Sequence, residues 1–97
     1  MSHELRVQAM ILPNLGWDEL LGRFQHAEDL GFDLASTGDH FCDWSNPPSP
    51  WFEMWGVLAG VAQATERIRI APCVAQIPLR NPAMLARQAL TVDHISN

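Results

Sequence analysis

The chain has 97 residues, 47% hydrophobic and 18% charged, a balance that is globular rather than disordered and allows one domain with a modest core. Its formal net charge is −5, and its six basic residues, all Arg, are scattered at positions 6, 23, 67, 69, 80 and 87. No basic stripe forms, so nucleic acid is not an expected partner, and the longest apolar run, Met54 to Ala62, is far short of a membrane span.

Val7 to Leu12 reads as a short apolar strand, polar only at Gln8 and ended by Pro13 and Asn14. Such a run predicts a strand buried on both faces, as in a parallel sheet. Trp17 to Leu30 predicts a helix, with Leu20, Leu21, Phe24, Ala27 and Leu30 forming one stripe. Asp18 and Glu19 complement its first turn, and Gly31 stands where a left-handed cap belongs. His26 falls off the stripe and is expected at the surface.

Phe32 to Thr37 is the second predicted strand, and Gly38 opens the turn carrying Asp39, His40 and Trp44. The polar, proline-rich loop Ser45 to Pro50 follows. Ser49 as cap and Pro50 as first helical residue predict a second helix from Pro50 to about Thr65. Its apolar residues spread around the circumference, so it is expected to be well buried, with small residues letting it lie close to the sheet. Arg67 to Val74 is the third strand, with an irregularity expected at Pro72. After a loop, Gln76 to Arg80, the pair Asn81-Pro82 starts a third helix that ends near His94 or Ile95. Its candidate core positions are Leu85, Ala86, Ala89, Leu90 and Val92.

The order βαβαβα implies an α/β fold with a parallel sheet and right-handed crossovers. Residues just past the carboxyl ends of such strands are where ligands and chemistry sit. That rule draws attention to Asp39, His40 and Trp44. Asp39 reads either as a carboxylate capping a turn or as a polar anchor for a cofactor. His40 is either a satisfied structural histidine or a proton donor or acceptor, since imidazole titrates near working pH. Trp44 serves equally well as apolar cover or as a ring that stacks on, or donates to, a substrate intermediate. Cys42 and Cys73 lack the spacing of a zinc site or a disulfide framework, so no metal is expected and reduced thiols are the default. The amino terminus lacks the apolar core of a signal peptide, and a cytoplasmic location is expected.

Four stretches resemble the amino-terminal part of the luciferase-like monooxygenase family, flavin- or deazaflavin-dependent oxidoreductases on a TIM barrel. They are Ala27 to Asp33, Gly38 to Phe41, Ala64 to Ile70, and Arg80 to Ala83 running into Leu85 to Gln88 and Asp93 to Ser96. The resemblance implies the first three βα units of a TIM (β/α)8 barrel. Asp39-His40-Phe41 looks most like the branch using coenzyme F420, with FMN and oxygen activation as the alternative. It places Trp44 where some deazaflavin-dependent sugar-phosphate dehydrogenases have an active-site tryptophan. It implies a cis peptide at Cys73–Val74, in a third-strand bulge behind the deazaflavin ring. These residues would serve hydride transfer to or from a small organic substrate, with His40 handling a proton. A full barrel needs eight βα units and about 250 residues. The 97 residues are therefore expected to be a single segment, 1–97, of a longer barrel. A non-catalytic chain that completes its sheet by self-association is the other reading. A homo-oligomer is expected.

Overall fold

The computed structural model describes residues 2–97. Three parallel strands, β1 (Gln8–Met10), β2 (Leu34–Thr37) and β3 (Arg69–Pro72), form one sheet in the order β1-β2-β3. Helices α1 (Trp17–Asp29), α2 (Met54–Ala64) and α3 (Pro82–Ser96) alternate with them, and a 3₁₀ turn, Ile77–Leu79, lies between β3 and α3. The alternation read from the sequence is thus the alternation observed, and the chain is an α/β segment.

The core lies between the sheet and the helices. Leu20, Phe24 and Ala27 of α1 pack with Val57 and Val61 of α2 against Ile11, Ala35 and Ile68. A second cluster joins Met54, Trp55, Leu58 and Ala62 of α2 to Val92 of α3. Strand alternation therefore puts Ala9, Ala35 and Ile70 on the helix side and Gln8, Met10, Leu34, Ser36, Arg69 and Ala71 on the other. That other face corrects the expectation of a first strand buried on both sides. Gln8 and Met10 are exposed, with no element of the described residues lying over them. Gln8 Nε2 covers Ser36 by donating to its Oγ at 2.6 Å.

The ends of α1 follow the sequence, with Gly31 at φ +87° just past its C-cap, Leu30. Leu30 itself is 63% exposed, not core. The start of α2 does not follow it. Ser49-Pro50 is passed over, and Glu53 is the N-cap, its Oε2 accepting from Gly56 N at 2.7 Å. Tertiary contacts hold residues 51–52 out of the helix. Phe52 N donates to Pro13 O at 3.2 Å, and its ring stands edge-on to Trp17 with centroids 6.1 Å apart. The predicted burial of α2 holds, with six of its residues buried. Gly60 leaves room for the Trp17 ring of α1.

Asn81 caps α3 as predicted, accepting from Ala83 N at 2.8 Å with Pro82 in the first turn. The core stripe of α3 is narrower than predicted. Val92 is buried and Leu85 and Gln88 are half-buried, while Ala86, Ala89 and Leu90 are exposed. Spacing of three and four residues gives one contact line toward α2, and Ala86, Ala89 and Leu90 fall beside it. At the opposite end of the sheet, Glu28 Oε2 accepts from the backbone N–H of Glu66, Arg67 and Ile68 at 2.9, 2.7 and 2.9 Å. This one carboxylate ties the last turn of α1 to the segment entering β3, and the Ile68 N–H foremost holds its pKa below the ordinary value.

Candidate active site at the carboxyl ends of the strands

β2 ends at Thr37, and the chain turns through the buried residues Gly38 and Asp39 to His40. Asp39 has a side chain only 3% exposed. A carboxylate there must be fully partnered. Arg80 supplies most of that, with Nη1 on Oδ2 at 2.5 Å and Nη2 on Oδ1 at 2.9 Å, a two-pronged pair. The backbone N–H of Gln76 adds a third bond to Oδ2 at 2.8 Å. The Arg80 hydrogen bond above all holds the Asp39 carboxyl below its ordinary value, against the opposing effect of burial, and Asp39 in turn raises Arg80. Arg80 Nη2 also reaches Glu53 Oε1 at 3.2 Å, so the N-cap of α2 joins the same network. Asp39 is thus fully partnered within the protein. Both its oxygens are spent on internal bonds, and it clamps the end of β2 to the loop after β3.

His40 sits on this clamp. Its Nδ1 lies 3.0 Å from Gln76 Nε2, and the same amide nitrogen lies 2.5 Å from the Asp39 carbonyl. Its ring has Trp44 at 5.0 Å and Trp51 at 5.8 Å between centroids, both tilted. Trp44 is 79% exposed and so is open surface as much as packing. Asp43 shapes the loop that carries it, accepting at Oδ1 from Ser45 N (2.9 Å), Ser45 Oγ (2.6 Å) and Asn46 N (3.3 Å). Asn14, from the end of β1, donates to Asp43 Oδ2 at 3.3 Å. These bonds, the Ser45 hydroxyl foremost, lower the Asp43 pKa.

Of the residues singled out in the sequence, Asp39, His40 and Trp44 thus come together. Cys73 and Val74 follow β3 beside them, with Cys73 N donating to Thr37 O at 2.8 Å. The Cys73–Val74 peptide bond is cis, as the resemblance implies, so the irregularity of β3 lies after Pro72 and not at it. Gln76, Arg80 and Trp51 were missed as site residues. Gln76 and Arg80 lie just beyond the third strand, and Arg80 also opens the fourth of the resembling stretches.

Planar cofactors need apolar surface beside polar groups. Phe41, Trp44, Val74 and Ile77 are exposed apolar residues around this turn, and His40 is half-buried among them. The residues present fit a flat redox-active ring. Three parallel strands alternating with three helices make up the first three βα units of a TIM (β/α)8 barrel. The chain belongs to the luciferase-like monooxygenase family, which it matches over residues 1–97. It is 34% identical over 74 residues to the F420-dependent glucose-6-phosphate dehydrogenase of Amycolatopsis mediterranei, and 36% identical over 76 residues to the pyrimidine monooxygenase RutA of Pseudomonas syringae. These matches take in 73% and 75% of the chain but only 22% and 21% of the relatives, so the chain spans about a fifth of their length. Among solved structures, the coenzyme F420-dependent tetrahydromethanopterin reductase of Methanopyrus kandleri superposes with a TM-score of 0.81 at 28% identity, over 97% of this chain and 25% of that one. Among the described residues no helix is long and apolar enough to cross a membrane.

Proposed function

We propose that the protein is the amino-terminal segment of an F420-dependent oxidoreductase that moves a hydride to or from a small organic substrate. The observation that carries this reading is the His40 ring, fixed at the end of β2 by Gln76 with Trp44 and Trp51 around it. An oriented imidazole among open apolar surfaces suits proton handling beside a transferring hydride. Val74, with Cys73 behind it, offers the apolar surface for the cofactor ring, and Asp39 holds the surrounding backbone. The cofactor, when bound, supplies the two-electron chemistry. His40 then orients or exchanges a proton with the substrate, and Trp44 shields or stacks on it. The named F420-dependent relatives support this cofactor. The similarity to RutA supports a second reading, a flavin-dependent monooxygenase using FMN and oxygen. We further infer a cytoplasmic homo-oligomer acting on small molecules.

Titrating the full-length protein with F420 and, separately, FMN while following fluorescence separates the two. F420 binding without FMN binding supports the first reading, and the reverse moves it to the monooxygenase. With the preferred cofactor, His40→Ala is expected to lower turnover at least a hundredfold, the lower end of general acid–base contributions of about 10²–10⁴. Its effect on cofactor affinity should be small. Unchanged turnover removes His40 from the mechanism.

A further inference from the structure

We propose that Gln76 is a positioning residue that fixes His40 as the Nε2–H tautomer, so that the substrate atom His40 meets is a hydrogen-bond acceptor such as a carbonyl oxygen. The inference deepens the oxidoreductase reading and rests on it for the identity of the site. The arrangement begins at Asp39. Its backbone carbonyl only accepts, and the Gln76 side chain approaches it at 2.5 Å. The amide end facing that carbonyl is therefore NH₂, since the reversed amide would set oxygen against oxygen. The second N–H of the same group points at His40 Nδ1, 3.0 Å away. Nδ1 must then accept, and the ring proton sits on Nε2. Nε2 has no hydrogen-bond partner among the described residues and is not among their buried unpaired atoms, so it is open to a ligand.

Gln76 is itself held. Its backbone N–H is bound to Asp39 Oδ2 at 2.8 Å, and Arg80 grips the same carboxylate with both prongs. The buried ion pair thus acts on the chemistry at one remove, by locking the residue that selects the tautomer. A donor at Nε2 matches an oxygen that gains electron density, which is the oxygen of a carbonyl receiving a hydride. It does not match a hydroxyl proton that must be accepted there.

The test is nitrogen NMR of the full-length protein labelled with ¹⁵N-histidine, above the titration midpoint of His40 found from the same spectra. The expected result is an unprotonated Nδ1 and a protonated Nε2. Gln76→Met keeps the side-chain length and the backbone bond but removes the donor. It is expected to shift the tautomer ratio about fivefold toward Nδ1–H, the effect of losing one neutral hydrogen bond. Gln76→Glu places an acceptor beside Nδ1 and should make Nδ1–H the major form. In turnover, kcat follows the Nε2–H fraction, so Gln76→Met should lower it by at most about fivefold with KM for the cofactor unchanged. A wild-type proton on Nδ1, or a ratio indifferent to both substitutions, overturns the proposal. The spectra decide the tautomer without reference to activity. A His40→Ala variant with full turnover would instead overturn the functional reading and leave the tautomer assignment standing.

Discussion

Replacing Arg80 by Met keeps most of the stem and deletes the charge, which isolates the Asp39–Arg80 clamp. The two side chains are 3% and 14% exposed, so the pair is largely out of water. Removing one partner of a buried pair costs about 3–5 kcal/mol, because the other charge is left behind. Asp39 keeps the Gln76 N–H at 2.8 Å, and this places the expected cost of Arg80→Met at the lower end, about 3 kcal/mol. Asp39→Asn should be milder, about 1.5–2 kcal/mol. Its amide can still accept from Gln76, and Arg80 retains Glu53 at 3.2 Å. The double variant should therefore cost less than the sum, with a coupling energy of about 1.5–2 kcal/mol, as for residues sharing one network. The assay is urea unfolding of the full-length protein and its three variants, read as midpoint and slope. A cost below about 1 kcal/mol for Arg80→Met, or coupling near zero, would show the pair to be a solvent-screened contact of the surface kind and remove the clamp from the argument.

The clamp also predicts an acid dependence. The folded Asp39 pKa lies below its ordinary 3.8, so its stabilisation is fully present above that value and is lost as pH falls through the lower folded value. The difference in stability between wild type and Asp39→Asn should accordingly stay constant from pH 7 to about 4 and shrink only below that; a difference that closes between pH 7 and 5 refutes it. Glycines in two helices should respond differently to Ala. Gly22 lies in α1 with nothing within 4 Å of an added Cβ, so Gly22→Ala should stabilise by about 0.5–1 kcal/mol in thermal unfolding. At Gly60 the added carbon meets the Trp17 ring at 2.5 and 2.7 Å, and the ring must leave its edge contact with Phe52. Gly60→Ala should give no such gain, and equal stabilisation at both positions would refute the close packing of α1 on α2.

The fold was legible because periodicity and local caps agree with the tertiary structure almost throughout. Gly31 takes the left-handed conformation, Asn81-Pro82 starts α3, and the order of strands and helices stands. The start of α2 was not legible. Ser49-Pro50 is as good a local signal as Asn81-Pro82, and it loses only because Trp51 and Phe52 are drawn onto His40, Pro13 and Trp17. Local chemistry cannot report such competition, since the winning contacts come from residues 11 to 39 positions away. The same limit applies to α3, where five apolar residues look equivalent in sequence and only the direction of α2 chooses among them.

The site was legible in its strand-end residues and hidden in its supports. Asp39, His40 and Trp44 are close in sequence, so the turn rule finds them together. Gln76 and Arg80 act on them from 36 to 41 residues away, through bonds whose existence depends on β2 and β3 being adjacent. Yet the four stretches that carry the family resemblance pair off in space along this same logic. Glu28, in the first, binds the backbone N–H groups of the third at Glu66, Arg67 and Ile68. Asp39, in the second, binds Arg80 of the fourth. In each case a carboxylate at one end of the sheet fixes a segment that the chain reaches only a full βα unit later. One pair closes the amino-terminal side of the strands, and the other closes the carboxyl side. On the second rests the half-buried imidazole of His40, held through Gln76. That imidazole, and not the strength of the ion pair, is what the chemistry proposed for the Asp39 end rests on.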